Sequence, residues 1–456
     1  MIHAFRQKDK NIVLDVNSGC VHVMDDLCFD LIRALDGREE LPEIVPADIA
    51  ADFGKQYETA EINDAYGDVL ELYRQGVLFS KDEYADIAVN MKKRSPVKAM
   101  CLHVSHDCNL RCRYCFADEG AYHQQRELMS AETGKKAIDF LIAHSAKRRN
   151  LEVDFFGGEP LMNFGVVKEV VEYARVQEKL HDKNFRFTIT TNGLLLNDDN
   201  MEYINQEMSN VVLSLDGRKE VNDKVRCRVD GGGSYDIIVP KLQKMADSRN
   251  QDNYYVRGTF TRYNLDFADD VIHLADLGFK QTSVEPVVGD EKEDYVLRKE
   301  DLPKIFEEYE KLTEEYLKRR REGKGFNFFH FMIDLDQGPC VIKRLSGCGA
   351  GCEYLAVAPN GDIYPCHQFV GTEEYKMGNL NEGEISQTIR EKFEDCNVYT
   401  KPKCIDCFAK FYCSGGCMAN ACLLNGDINR PHEISCELQR KRVECSLYIK
   451  AVEAEK

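Results

Sequence analysis

The chain has 456 residues, 60 Lys and Arg against 78 Asp and Glu, a net charge of −18 and 19 cysteines. Its hydrophobic fraction of 43% and charged fraction of 30% are ordinary for a globular protein and exclude a mainly disordered, collagenous or coiled-coil chain. The length predicts about three domains. The acidic balance argues against binding to nucleic acid or an anionic membrane, because both require a basic surface.

The cysteine count is the unusual feature of this composition. Residues 1–16 contain no apolar stretch that could serve as a signal peptide, and no apolar run approaches the length of a membrane helix. We therefore expect a cytoplasmic protein without membrane association. In that reducing compartment, clustered cysteines are more often metal ligands or redox groups than disulfides.

Residues 1–85 predict a small separate domain. Two short β-branched runs, Ile12–Val16 and Cys20–Met24, flank a turn and predict a hairpin. A helix is expected to begin after Asp25, which can act as its N-cap. A second apolar stripe, from Ile62 to Tyr73, predicts another helix.

The next region alternates strand and helix patterns. Six strand candidates are Ala99–Ser105, Leu151–Phe156, Phe185–Thr191, Val211–Leu215, Tyr254–Phe260 and Thr282–Val287. Helix-compatible segments such as Ser130–Ser145 and Asn163–Glu178 lie between them. The alternation predicts βαβ crossovers and a parallel sheet. Six units are too few for an eightfold barrel, so we expect an α/β fold with a partial (β/α)6 barrel at residues 99–325 and chemistry at the C-terminal strand ends.

Segments on either side of the barrel complete the predicted organisation. Residues 86–98 predict a linker, whose basic triplet at 92–94 is interpreted as a solvated connection. Leu302–Arg321 predicts a charged helix. After residue 325 the chain is rich in Cys and Gly and poor in long periodic segments, so residues 326–456 predict a third domain organised around inorganic centres.

The first cysteine cluster follows the first barrel strand. Cys108, Cys112 and Cys115 lie within eight residues and could converge on one metal centre. Because this loop supplies three thiolates, a four-iron cluster bound there would keep one iron open to a non-protein ligand. The alternative from spacing alone is a zinc loop with a distant fourth ligand.

Short polar or glycine-containing motifs end the next three strands. They are Gly157-Gly158-Glu159-Pro160, Thr190-Thr191-Asn192-Gly193 and Ser214-Leu215-Asp216-Gly217, and the segment Asn222–Arg226 follows. Two glycines let a backbone approach a ligand, and a carboxylate suits an ammonium group. Together with the three-cysteine loop, these motifs resemble the radical S-adenosylmethionine (SAM) superfamily.

That resemblance implies a role in SAM binding for each motif. The loop with Glu159 would contact the SAM amino group, and Ser214 and Arg226 would help to hold SAM, with Arg226 suited to its carboxylate. The three cysteines would hold the SAM-cleaving cluster and be catalytic. The cofactor-binding residues expected from the resemblance are Tyr114, Gly157, Gly158, Glu159, Thr190, Asn192, Ser214, Asp216 and Arg226.

A second set of cysteines occupies the last part of the chain. Its members are Cys348, Cys366, Cys404, Cys407, Cys413, Cys417 and Cys436. Their spacing resembles the SPASM domain, an auxiliary-cluster extension of radical SAM peptide and protein maturases. The resemblance implies two further [4Fe-4S] clusters, three in total. The outer one would use Cys404, Cys407, Cys413 and Cys436, and the inner one Cys348, Cys366 and Cys417. A zinc ribbon is the alternative for Cys404, Cys407, Cys413 and Cys417, although the thiolate count exceeds one tetrahedral site.

The fourth ligand of the inner cluster is left open by the sequence. Cys340 and Cys352 flank Cys348, and neither fits the SPASM spacing as well. If neither binds, one iron could take a substrate thiolate. The other cysteines are interpreted as buried small hydrophobes, and Cys227, next to Arg226, is the one to test for a role.

Residues 1–85 resemble the PqqD-like RiPP recognition element, a small winged-helix module that binds the leader of a precursor peptide. The physical mode would be addition of the extended leader to the exposed edge of the hairpin. The three-part order resembles the maturases of SCIFF peptides (six cysteines in forty-five residues). An unrelated winged helix is the alternative for the first domain.

The SCIFF resemblance implies a thioether-forming enzyme. SAM reduction would release a 5′-deoxyadenosyl radical that removes hydrogen from a substrate carbon, and a precursor cysteine would then close a carbon–sulfur bond. The implied partners are a Cys-rich precursor peptide and a reducing electron donor such as ferredoxin or flavodoxin, in an anaerobic cytoplasm.

Two other functions would account for part of the sequence. Anaerobic sulfatase-maturing enzymes place a carboxylate base after a Gln-containing sixth strand, and the stretch Thr282–Gly289 departs from that pattern. A non-catalytic iron-sulfur electron carrier would use Cys404–Cys436 but has no need of the Gly157–Pro160 motif or Arg226. Both are less consistent with the whole chain than a peptide maturase.

Overall fold

The N-terminal part contains a three-stranded antiparallel sheet and short helices. The structure is a computed structural model that describes residues 1–91, 95–335 and 344–455. The sheet has the order β1-β2-β3, with β2 in the centre. The N-terminal elements are β1 Ile2–Gln7, β2 Lys10–Asp15, β3 Val21–Met24, α1 Asp26–Leu35, α2 Ala47–Phe53, α3 Thr59–Arg74 and α4 Ala85–Ala88.

The predicted hairpin is confirmed as β2 and β3, and Asp25 caps α1 by accepting a hydrogen bond from the Cys28 backbone. The sequence does not predict β1, an edge strand whose side chains are mostly half-buried. The side chains on the two faces of β2 pack into different hydrophobic cores. Val13 packs with α1 and α3, whereas Ile12 and Leu14 belong to the main core of the chain.

The middle region is an open sheet whose strands alternate with helices. Its elements are β4 Ala99–Ser105, β5 Leu110–Cys112, α5 Ala131–His144, β6 Asn150–Gly157, α6 Phe164–His181, β7 Asn184–Thr191, α7 Asp198–Glu207, β8 Met208–Ser214, α8 Lys219–Val225, β9 Arg226–Arg228, α9 Tyr235–Ser248, β10 Tyr254–Phe260, α10 Phe267–Asp276, β11 Gln281–Pro286, α11 Leu302–Arg321 and β12 Asn327–Phe328.

All six predicted barrel strands are confirmed. They lie next to one another in the order β11-β10-β8-β7-β6-β4, and every neighbouring pair is parallel. The fold class is therefore the expected α/β partial barrel. Parallel strands direct their C-terminal ends to one edge, where the strand-end motifs come together.

The C-terminal region adds strands to the same sheet. Its elements are β13 Tyr354–Val357, β14 Asp362–Tyr364, β15 Gly378–Asn379, α12 Gln387–Glu394, α13 Pro402–Ile405, α14 Lys410–Cys413, α15 Met418–Asn425 and α16 Glu433–Ala454. Strand β13 pairs with β4 in parallel register, so this region continues the barrel sheet beyond its first strand.

This region, expected to be poor in long periodic segments, nevertheless contains one long helix, α16, which has 22 residues. The helix packs against α11 and β2, so its apolar residues face more than one neighbour. A helix buried on several sides shows no single apolar stripe, and sequence periodicity therefore does not reveal it.

Part of the predicted linker is packed against the rest of the protein. Ala88 and Val97 are fully buried, and the Asn397 side chain donates to the backbone oxygen of Ala88. The basic triplet at 92–94 lies outside the described residues. Across the described part of the chain, no helix combines the length and apolar character needed to span a bilayer.

Candidate functional site

The three-cysteine loop begins where β4 ends. Residues Leu110–Cys112 form β5, which pairs antiparallel with β9, so Cys112 lies opposite Arg226. This two-stranded ribbon brings the last predicted motif onto the cysteine loop. The thiol of Cys227, the next residue of β9, donates to the backbone oxygen of Asp223 at 3.4 Å. Because side chains alternate along a strand, Cys227 lies on the face opposite to Arg226.

Arg226, Tyr114 and Asp216 form a buried polar network beside this loop. Arg226 Nη1 donates to the Tyr114 hydroxyl at 3.0 Å, and that hydroxyl donates to Asp216 Oδ2 at 2.6 Å. Burial raises the pKa of Asp216, while Arg226 opposes the rise by favouring the carboxylate. Arg226 Nε is buried and has no hydrogen-bond partner within the described residues, so this donor is available to a ligand.

Glu159 connects two strand ends to the cysteine loop. Its fully buried carboxylate accepts hydrogen bonds from the Leu161 backbone at 3.0 Å, Thr191 Oγ1 at 2.8 Å and the Asn192 backbone at 2.8 Å. The Asn192 amide in turn lies 3.7 Å from Cys108 Sγ. Burial raises the pKa of Glu159 to about 7. The carboxylate thus braces the ends of β6 and β7, and its contact with SAM stays a prediction.

The two glycines before Glu159 allow a close approach between backbones. A Cβ on Gly157 would lie 2.2 Å from the Ser105 carbonyl oxygen, and one on Gly158 would lie 2.1 Å from that of Asp107. Gly157 also has a positive φ of 125°. The glycines therefore let the end of β6 pack directly on the start of the cysteine loop.

The three thiols of the loop lie close enough to influence one another's pKa. Burial raises the pKa of Cys112 to about 12; Arg226 opposes this rise, and Cys115 and Cys108 add to it. Binding to a metal centre would require these thiols to lose their protons, and Arg226 favours that loss. Thr190 and Ser214, predicted to be near SAM, are half-buried at the ends of β7 and β8.

The predicted outer set surrounds a single cavity. Cys404, Cys407, Cys413 and Cys436 all line a space of about 90 Å³ between α13, α14 and the start of α16. The remaining lining includes the cationic side chains of Lys403, Lys410 and Arg440. Arg440 Nη1 lies 3.9 Å from Cys407 Sγ. A wall of cations offsets the negative charge that four thiolates and a cluster would bring.

The predicted inner set is also brought together. Burial raises the pKa of Cys366, and the thiolates of Cys348 and Cys417 raise it further. Cys348 and Cys417 are exposed, whereas Cys366 is buried. Of the two candidates for a fourth ligand, Cys352 is buried in the apolar cluster that contains Cys366, and Cys340 lies outside the described residues. The fourth ligand stays open.

Aromatic and histidine side chains connect the inner set to the SAM loop. His367, next to Cys366, lies 5.8 Å from the ring of Phe116 and 5.2 Å from that of Phe156. His103 and His106 are fully buried beside Tyr122. These side chains were not predicted, although His103 and His106 directly precede the cysteine loop and His367 directly follows Cys366.

A charged group lies near the C-terminal end of the sixth strand. Glu285 is 3.5 Å from both His330 Nε2 and Arg442 Nη1, and 3.9 Å from Arg257 Nη2. Burial would raise the pKa of Glu285, but these three groups outweigh it and hold the pKa at about 2. The carboxylate on this strand is thus an ionised partner of cations, which makes it a poor proton acceptor.

The donor sets fit iron-sulfur clusters better than single metal ions. Within the described ranges, no group of three or more His, Cys, Asp or Glu side chains could hold one ion as it stands. The outer cysteines instead surround a cavity, and the SAM loop combines three thiols with an unpaired donor of Arg226. A partial α/β barrel with such a loop at its C-terminal edge is suited to bind a cluster and a small ligand side by side.

Comparison with known families identifies both domains. Residues 102–298 match the Radical SAM superfamily, and residues 348–408 match the SPASM iron-sulfur cluster-binding domain. The chain contains a radical SAM domain followed by a SPASM domain. These domains imply SAM and [4Fe-4S] clusters as cofactors, which agrees with the predicted cofactor set.

The relatives of this chain are named for different reactions. The radical SAM cyclopropyl synthase TigE of Paramaledivibacter caminithermalis is 24% identical over 84% of this chain and 82% of its own length. A cysteine-type anaerobic sulfatase-maturating enzyme of Clostridium novyi is 25% identical over 69% of this chain and 86% of its own length. The solved structure of native anSMEcpe with bound AdoMet and Cp18Cys peptide has a TM-score of 0.63, 18% identity, and covers 79% of this chain and 100% of its own.

Proposed function

We propose that this protein forms thioether crosslinks in a ribosomally made, Cys-rich precursor peptide. One observation carries the proposal: Phe116, next to Cys115 of the SAM loop, contacts His367, next to Cys366 of the inner set. Forming a carbon–sulfur bond requires the centre that activates a carbon and a centre that binds a thiol to lie close together. Relatives named as maturases of sulfatases and a structure with bound peptide support a peptide substrate.

The residues of the SAM site would position the cofactor. When bound, SAM and the cluster on Cys108, Cys112 and Cys115 supply hydrogen-atom abstraction. Arg226 would bind the SAM carboxylate through its unpaired Nε donor. Glu159 would keep the strand ends in place by its three hydrogen bonds. The other cofactor contacts proposed from the motifs are Tyr114, Gly157, Gly158, Thr190, Asn192, Ser214 and Asp216.

The exposed inner cysteines would allow a substrate thiol to approach their cluster. Cys348 and Cys417 are exposed, so a peptide cysteine can reach this set from solvent. The outer set would accept or relay the surplus electron. We also propose a reducing donor such as ferredoxin or flavodoxin, and an anaerobic cytoplasmic location, because reduced clusters require both.

The leader of the precursor would pair with β3. This strand is at the edge of the N-terminal sheet, and Val23 on it is 46% exposed. An extended peptide can add to such an edge through backbone hydrogen bonds. Val23→Glu is expected to weaken leader binding about tenfold, or about 1.4 kcal/mol, as measured by fluorescence anisotropy. Val176→Glu, at an exposed valine on α6, is the control; equal loss in both variants contradicts the assignment.

One anaerobic assay tests the reaction itself. Reduced, cluster-reconstituted protein would be mixed with SAM and a Cys-rich precursor that carries its leader. We expect 5′-deoxyadenosine, a loss of two hydrogens per crosslink in the mass spectrum, and cysteines protected from alkylation. If mass and alkylation are both unchanged while 5′-deoxyadenosine forms, thioether formation is wrong.

A formylglycine-type oxidation is the second candidate function. Similarity to sulfatase-maturating enzymes favours it, but the sixth-strand carboxylate, Glu285, is engaged with two arginines and a histidine. In the assay above this activity would give an aldehyde that reacts with hydrazine reagents. An electron carrier would give no 5′-deoxyadenosine at all.

A further inference from the structure

The end of the N-terminal domain contacts the wall of the outer-set cavity. Asp82 Oδ2 accepts a hydrogen bond from Lys410 Nζ at 3.1 Å, and the Tyr399 hydroxyl lies within 3.0 Å of both Asp82 oxygens. Lys410 begins α14, which ends at Cys413. A residue of the first domain therefore touches the segment that presents a predicted cluster ligand, 328 positions away in sequence.

Lys410 depends on this contact. Its side chain is only 2% exposed, and Asp82 is the one carboxylate within ion-pair distance of it among the described residues. Lys410 Nζ also donates to the backbone oxygen of Ile405 at 3.2 Å, between Cys404 and Cys407. Removing the carboxylate would leave a buried ammonium without its carboxylate partner, which is strongly unfavourable. The cost would fall on the loop that carries the outer cysteines.

Asp82 is itself held by the N-terminal sheet. Asp15, fully buried at the end of β2, accepts hydrogen bonds from the Ser80 backbone at 2.8 Å and from the Ser80 hydroxyl. The same carboxylate accepts from the Ser18 backbone at 2.9 Å, in the turn before β3. These contacts fix Ser80, two residues before Asp82 in the chain, to the hairpin turn.

A second contact joins the same sheet to the outer set. The ring of His3, on β1, stacks on Phe408 with centroids 3.4 Å apart, and Phe408 directly follows Cys407. His3 Nε2 also lies 3.0 Å from Glu444 on α16. The outer-set loop is therefore supported at two points by the domain to which leader binding is assigned.

We propose that Asp82 is a positioning residue for the outer cluster. By pairing with Lys410 it fixes the loop between Cys404 and Cys413, so the N-terminal domain supports the cluster in addition to any role in leader binding. Removing residues 1–85 would then impair the outer cluster as well as leader binding. The inference rests on the outer-cluster assignment in the proposed function and is independent of thioether chemistry.

The test uses full-length, anaerobically reconstituted protein with Asp82→Asn. We expect a loss approaching four irons per chain, or a higher reduction potential of the outer cluster where it is retained, because an unpaired cation then faces it. The signals of the SAM-loop cluster and the affinity for a leader peptide should stay unchanged. Asp86→Asn is the matched control, since Asp86 is exposed and has no ion pair within the described residues.

Two further variants separate the possible failures. If Cys413→Ala keeps full iron content, the outer-cluster assignment is wrong. If Cys413→Ala loses iron but Asp82→Asn behaves like the control Asp86→Asn, the outer cluster is present and the positioning role of Asp82 is wrong. Should Asp82→Asn fail to fold, the double variant Asp82→Asn/Lys410→Met is expected to recover folding and iron, because it removes the unpaired cation. A double variant no better than the single one would overturn the proposal.

Discussion

The SAM loop and the outer set are both cysteine sites, but the chain supports them differently. The SAM loop is held by the ends of adjacent strands: Glu159 and Asn192 belong to one parallel sheet, and Arg226 reaches Cys112 through a short ribbon. The outer set lies between short helices, and Lys410 in its lining pairs with Asp82 from the N-terminal part of the chain.

The two sites therefore differ in what positions their ligands, which is backbone geometry at the SAM loop and side-chain packing at the outer set. In the first site, strand spacing and two glycines determine where the ligands stand. In the second, a few buried cations and their partners do so. We therefore expect changes at the SAM loop to affect SAM cleavage directly, and changes at the outer set to affect cluster content and potential while SAM cleavage persists.

The largest expected difference comes from removing a ligand at each site. Cys108→Ala should abolish 5′-deoxyadenosine formation, because the three-thiolate set is then incomplete. Cys413→Ala should retain SAM cleavage but lose crosslinked product. Chromatography of 5′-deoxyadenosine and mass spectrometry of the peptide measure the two outcomes. Equal loss of 5′-deoxyadenosine in both variants would show that the sites are not separable in this way.

The next effect concerns the buried network beside the SAM loop. Arg226→Met should lower the free energy of unfolding by about 3 kcal/mol, because Asp216 then loses its buried cationic partner. SAM affinity should fall with it. Arg228→Met, on the same strand but 37% exposed and paired with Asp230, is the control. Denaturant unfolding measures the stability of each variant, and SAM titration measures its affinity for SAM. Equal effects in Arg226→Met and Arg228→Met would contradict a special role for Arg226.

A purely steric change tests the backbone contact between β6 and the loop. Gly158→Ala places a Cβ at 2.1 Å from the Asp107 carbonyl oxygen, so one of the two segments must move. We expect a destabilisation of about 1–3 kcal/mol and weaker SAM binding. Gly165→Ala, in α6 where a Cβ meets nothing within 4 Å, should leave SAM affinity unchanged and cause no destabilisation. Wild-type SAM affinity in Gly158→Ala would rule out this contact as a determinant of the site.

Much of this architecture could be predicted from the sequence, for identifiable reasons. The bounds of Ala99–Ser105 and Tyr254–Phe260 agree with the structure because the first is a mostly apolar run of strand length and the second alternates apolar and more polar side chains. The cysteine loop and strand-end motifs are local in sequence, so their order alone places them at one edge of the sheet.

Other features depend on contacts between distant segments. The pairing of Cys112 with Arg226, the addition of β13 to β4, and the Asp82–Lys410 ion pair each join parts of the chain far apart in sequence. No local pattern encodes such pairs. The sequence pattern does not predict helix α16, because a helix buried on several sides lacks the single apolar stripe on which such predictions depend.

The smallest expected effect concerns the cationic wall of the outer set. Arg440 Nη1 lies 3.9 Å from Cys407 Sγ, but the side chain is 30% exposed and also pairs with Glu437, which weakens its influence. A nearby cation favours the reduced, more negative cluster. Arg440→Met should therefore lower the reduction potential of the outer cluster by roughly 40 mV, which corresponds to about 1 kcal/mol for one electron. Potentiometric titration followed by electron paramagnetic resonance measures the shift, and Arg430→Met, which does not line the cavity, is the control. A matching shift in the SAM-loop cluster would mean that the two sites share one electrostatic environment.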